Sequence, residues 1–138
     1  MVDLIDSNIV LRWIAKDDSQ LLERVVEFIG SEIDNGNNIF VHPVALCEVF
    51  WVLTSNRGPY QWTREQVLNA FEDLANTSGF IVTKRPNDFI KLIGRMRSHP
   101  DVHIPEALMH MYAASENQVF CTMDRNATKL DQDSIRFI

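Results

Sequence analysis

The chain has 138 residues, 46% of them hydrophobic and 23% charged, which fits one globular domain and excludes a disordered or fibrous chain. A formal net charge of −6 excludes an all-over basic nucleic-acid binder. No apolar run approaches the roughly 20 residues that span a bilayer, so no membrane role is expected. Met1 leads straight into VDLID without a basic segment or cleavage site, so the expected location is the cytoplasm. Cys47 and Cys121 both fall in apolar runs without C-x-x-C spacing and read as buried thiols, with neither redox chemistry nor zinc implied.

Charge is segregated along the chain. Residues 1–56 hold nine acids against three bases, and residues 57–98 hold seven bases against four acids. Such a division suits a phosphate substrate brought to a carboxylate site, and equally suits ordinary solvated helix faces.

In chain order, VDLID predicts a short buried strand ending at Asp6, and SNIVLRWIA a helix that Ser7 or Asn8 can cap. Leu21, Leu22, Val25, Val26, Ile29 and Ile33 recur at helical spacing over residues 19–34. NGNN is a turn, IFV a strand, and Pro43 suits the first turn of the next helix. SNRGPYQW is a loop that should carry Arg57, Tyr60 and Trp62 at its surface. Thr63 and Gln66 open an amphipathic helix with a capping box. FIVT is a strand, NDFIKLIGRMRS a helix started by Asn87, and PEALMHMYAASEN a helix with Pro105 near its start. VFCT is a strand leading to Asp124, RNATKL a helical turn and IRFI a last strand. Short apolar strands alternating with helices predict one α/β domain over 1–138, a three-layer α/β/α sandwich around a short parallel sheet.

Ligands bind such sheets outside the carboxyl ends of the strands. Asp6 and Asp124 follow strands, Glu106 opens a helix after Pro105, and Glu48 sits five residues beyond Pro43. Taken singly, Asp6 reads as a helix cap, Asp124 as a turn residue and Glu106 as an acid in a helix's first turn. Glu48 has no such ordinary reading, because Val44, Ala45, Trp51 and Val52 surround it one turn either way. An ionised carboxylate held out of water costs several kcal/mol unless it is paired or binds a metal. Four acids brought together need a cation between them, and all-oxygen ligation favours Mg²⁺ or Mn²⁺.

The segments VDLIDSNIVLRWI, VALCEVFWVL, PEALMHMYAA and VFCTMDRNATKL resemble, in order, the signature segments of PIN-domain proteins, and among them the VapC-type toxins of VapBC toxin–antitoxin pairs. The likeness covers nearly the whole chain. It implies a PIN-like fold and a magnesium-dependent endoribonuclease acting on tRNA or other structured RNA. It further implies a cognate antitoxin and a homodimer. By the same resemblance Asp6, Glu48, Glu106 and Asp124 are the metal-binding and catalytic acids, with Ser7 and Asn8 supporting the first of them; Asn126 is a further candidate for support, next to Asp124 in sequence. Two departures stand out. Glu106 replaces the family's usual Asp and reaches roughly 1.5 Å further, and His103 and Arg125-Asn126 stand where the family often has further Asp residues. A displacement of about 1 Å costs on the order of 10²-fold in rate. The alternative is therefore a catalytically silent PIN-fold module that binds RNA or protein.

His103, Glu106 and His110 are spaced for one helical face, but His103 precedes Pro105 and no cysteine completes a zinc set. Arg57, Tyr60 and Trp62, with His103, are the candidates for RNA contact. Trp13, Phe50 and Trp51 read as core or as a groove for a partner helix.

Overall fold

The computed structural model describes residues 1–138. It is α/β, with six α-helices, one three-stranded parallel sheet and one parallel strand pair. No helix is long and apolar enough to cross a membrane. The chain divides into two compact units, Met1–Pro86 and Asn87–Ile138, inside what the sequence predicts as one domain.

The first unit runs β1 (Val2–Ile5), α1 (Ser7–Ala15), α2 (Ser19–Asp34), β2 (Asn38–Val41), α3 (Pro43–Thr54), α4 (Arg64–Asn76) and β3 (Phe80–Ile81). The sheet order is β1-β2-β3, all parallel, with Ile5 opposite Val41 and Ile39 opposite Phe80. Parallel neighbours require crossover connections, and α1–α2 and α3–α4 supply them. Ile39, Val41, Leu46, Leu53, Phe71 and Val67 are sealed from solvent at the centre of this unit.

Local chemistry sets the helix starts. Asp6, not Ser7 or Asn8, caps α1, with Oδ1 accepting from Ile9 N at 3.1 Å. Asp6 is extended while Ser7 is already helical, so the carboxylate stands at the position that can meet a free first-turn N–H. Thr63 and Gln66 form the predicted capping box on α4. Trp13 packs its ring 5.2 Å from that of Phe80.

Burial departs from expectation in several places, beginning with β1, expected to be buried, which covers only Ile5 and leaves Val2 and Leu4 exposed. Of the apolar residues on α2 only Ile29 is buried, and Leu21 and Val26 are exposed. On α3, Ala45, Leu46, Val49 and Leu53 face inward, whereas Val44, Glu48, Trp51 and Val52 are exposed. Residues at i, i+4, i+7 and i+8 share one helical face, so the second set is a single solvent-facing stripe. The helix is apolar nearly all round yet packs on one side only. Trp51, at 60% exposure, is not core.

β3 ends at Ile81, two residues short of the predicted strand. The Thr83 hydroxyl donates to Arg85 O and accepts from Arg85 N, turning the chain into α5 before more pairing can form. Gly79 enters β3 with φ +91°, and its carbonyl accepts from Ile39 N at 2.7 Å.

The second unit contains α5 (Pro86–Ser98), which begins at the boundary residue Pro86 rather than at Asn87, then α6 (Ile104–Ser115), β4 (Phe120–Thr122), a 3-10 turn (Ala127–Leu130) and β5 (Ile135–Phe137). β4 and β5 pair in parallel, with Cys121 opposite Arg136, and α6 packs against β4 and the 3-10 turn. Phe89, Ile93, Met96, Val102 and Ala107 are its innermost residues. Cys121, expected to be buried, is exposed, because a two-stranded ladder leaves it on an uncovered face.

Gly79→Ala should lower the stability of the first unit by about 1–2 kcal/mol, the cost of a left-handed non-glycine residue. The added Cβ would also fall 2.6 Å from Ile33 Cδ1. A lower urea midpoint at unchanged slope checks this.

Candidate active site

The β1–β2 register brings the two strand exits side by side. Ile5 pairs with Val41, so Asp6 and His42 both leave the carboxyl edge of the sheet, the first opening α1 and the second α3. Asp6 is exposed, and its bond from Ile9 N uses one carboxylate oxygen. Ser7 is half-buried and Asn8 exposed in the first turn of α1. Glu48 lies in the second turn of α3 and is exposed, so it meets water and carries no burial cost. α1 packs directly on α3.

Asp6 and Asn8 also border a groove of about 630 Å³ between α1 and α2. Ile9, Leu21, Val25 and Phe28 give it an apolar floor, and Arg12 and Arg24 stand at its sides.

The loop between α3 and α4 is ordered by its own bonds. Gln61 Nε2 reaches Asn56 O, Trp62 N donates to Leu53 O at 2.7 Å, and Gln61 takes φ +51°. Arg57 is exposed as expected, while Tyr60 and Trp62 are half-buried. The Tyr60 hydroxyl donates to Asp17 Oδ2, and Arg12 Nη1 donates to Asp17 Oδ1 at 2.9 Å and to the Tyr60 oxygen at 3.1 Å. This three-way latch fastens the loop to the turn between α1 and α2. The Tyr60 hydroxyl, with Arg12 beside it, holds the Asp17 carboxyl below its usual range. Asp17 in turn pushes the Tyr60 phenol up and helps raise Arg12. No sequence pattern links Asp17 to a tyrosine 43 residues away.

In the second unit, His103 is the exposed N-cap residue of α6 and makes no side-chain cap bond. Glu106 is in the first turn of α6, and its Oε2 is buried without a hydrogen-bond partner. Asp124 is half-buried after β4; its N donates to Thr122 Oγ1 at 3.0 Å, and its Oδ1 accepts from Asn126 N at 2.9 Å. Asn126 therefore supports Asp124 through its backbone. Its side chain makes no cap to the following 3-10 turn.

His110, 3% exposed, is the one buried polar residue. Its Nε2 lies 3.0 Å from Ser134 Oγ, which donates to Asp131 Oδ2 at 2.6 Å. Burial depresses the His110 pKa and Arg95 adds to this, against the pull of Asp131. The Ser134 hydroxyl holds the Asp131 carboxyl below its usual range. Ser134 and Asp131 were missed from sequence, since nothing local pairs them with a histidine more than 20 residues earlier.

Asp6 and Glu48 thus belong to the first unit and Glu106 and Asp124 to the second. Within either unit taken by itself, no three His, Cys, Asp or Glu side chains gather as a metal-holding group. No protein-family model matches the chain, and no curated protein is significantly similar to it.

The latch has a defined pH window. Asp17, depressed below its ordinary 3.8, contributes stability that is full above that value and is lost as pH falls through its lower folded value. Tyr60, raised above its ordinary 10.0, contributes stability that is full below that value and is lost as pH rises through its higher folded value. Tyr60→Phe should cost about 0.5–1.5 kcal/mol near neutral pH, and its stability difference from wild type should shrink at both extremes. Denaturation midpoints across pH check the prediction.

Proposed function

We propose that the chain is a PIN-like, three-layer α/β protein and a divalent-metal-dependent endoribonuclease, the toxin half of a cytoplasmic toxin–antitoxin pair. The observation that carries this reading is the Ile5–Val41 register, which sends the Asp-Ser-Asn segment and the Glu48 helix out from one edge of a parallel sheet. Asp6, Glu48, Glu106 and Asp124 are the proposed ligands of Mg²⁺ or Mn²⁺.

The donor chemistry fits that group. Glu106 adds a third carboxylate to those of Asp6 and Asp124, each of which gives one oxygen to a backbone N–H and keeps the other. Carboxylate oxygens are what hard divalent cations take. When bound, the ion supplies Lewis acidity for attack of water on a phosphodiester.

The chain's own groups do the positioning. Ile9 N fixes the Asp6 carboxylate and Asn126 N fixes that of Asp124, so neither has to be ordered when substrate arrives. Ser7 and Asn8 lie in the first turn of α1 beside Asp6. Arg57 projects from a loop tied down through Tyr60, which supports a fixed cation for an RNA phosphate. Trp62 and His103 complete the proposed RNA contacts.

The stripe of Val44, Trp51 and Val52 around Glu48 favours a second reading, a silent module that binds a protein, whether antitoxin or a second copy.

A cleavage assay on mixed tRNA, with Mg²⁺, Mn²⁺ or EDTA, separates the two. The nuclease reading predicts metal-dependent cutting that falls at least about 10²-fold in Asp6→Asn, with the fold intact by circular dichroism. Undiminished cutting by Asp6→Asn would sink it. A silent wild type beside an active Glu106→Asp would mark a site displaced by the extra methylene.

A further inference from the structure

Two buried polar atoms of the second unit have no partner, and they belong to residues one helical turn apart. They are Glu106 Oε2 and His110 Nδ1, at i and i+4 on α6. Residues so spaced face the same side with Cβ atoms about 6 Å apart. Buried polar atoms are nearly always hydrogen-bonded, because leaving one bare costs its full desolvation penalty.

The rest of the imidazole is already committed. Ser134 has one hydroxyl proton, and it goes to Asp131 Oδ2 at 2.6 Å. Ser134 Oγ must therefore accept from His110 Nε2, 3.0 Å away, which places a proton on Nε2, and burial disfavours a second proton on the ring. Nδ1 is left as a lone pair inside a residue that is 3% exposed. A carboxylate oxygen likewise only accepts. Two acceptors cannot bond to each other, so whatever satisfies both must bring two protons.

We propose that one internal water donates to both His110 Nδ1 and Glu106 Oε2. It closes a chain from Asp131 through Ser134 and His110 to Glu106 and makes His110 a positioning residue for Glu106. A water bridging these two buried acceptors has the two polar partners that a structural one needs. The significance of the chain for activity rests on the nuclease reading, whereas the water bridge does not. Asp131, held on the far side by Ser134, anchors the relay, and Glu106 is the acid whose added methylene most needs a fixed orientation.

Long-range ¹H–¹⁵N spectra of the full, metal-free chain at neutral pH test the bridge. The expected wild-type signature is the Nε2–H tautomer with Nδ1 at the shift of a hydrogen-bonded acceptor. Glu106→Leu removes one of the water's two partners and should move Nδ1 toward the value of an unbonded nitrogen, with the tautomer retained. Glu106→Gln, which can donate directly, should move it to a third value and covers the case in which the leucine variant does not fold. An Nδ1 already unbonded in wild type, or unmoved in both variants, overturns the bridge whether or not the protein cuts RNA. For the positioning role, Ser134→Ala should lower metal-dependent cleavage several-fold at unchanged RNA binding, and Ser134→Thr should restore it. Equal cleavage by wild type and Ser134→Ala overturns that role.

Discussion

The parallel pairing of β1 with β2 is the constraint on which the first unit depends. Strands of four residues hold few ladder bonds, so register is set by what the side chains bury. Ile5, Ile39 and Val41 are all sealed in the core, and a one-residue slip would turn them toward solvent. That register also brings Asp6 and the approach to α3 out at a common edge. Asp6 serves the fold directly there, because its carboxylate caps α1.

Glu48 shows how the balance of burial settles a sequence puzzle. Within an apolar helix it looks like a buried charge, which would be costly. The helix instead leaves one face in water, and Glu48 lies there with Val44, Trp51 and Val52. The anomaly moves from the acid to its neighbours. An exposed tryptophan flanked by valines is now the unusual feature of this helix, with one acid in its midst.

Local signals were the legible ones. The bounds of α1 and α2 and the capping box of α4 follow from periodicity and from side chains that bond within three residues. The acids after β1 and β4 follow from strand ends. What the sequence hid is long-range or depends on how many layers cover a surface. The Arg12–Asp17–Tyr60 latch joins residues 48 and 43 positions apart, and His110 meets Ser134 across 24. Helical periodicity on α2 marks a side that packs on α1 and β2, yet only Ile29 is fully covered, because a three-stranded sheet has little breadth. The same shortage of strands exposes Cys121.

Whether Asp6 and Glu48 act on one divalent ion is the claim that bears most weight, and a Mn²⁺ titration of thermal melts tests it most directly. A ligand that binds only the folded chain raises its stability by about RT ln(1 + [L]/Kd), roughly 2.7 kcal/mol at a hundredfold excess over Kd. The wild-type midpoint should climb with millimolar Mn²⁺, and Asp6→Asn and Glu48→Gln should each lose most of that climb. An identical climb in all three proteins, or none in the wild type, would contradict the account.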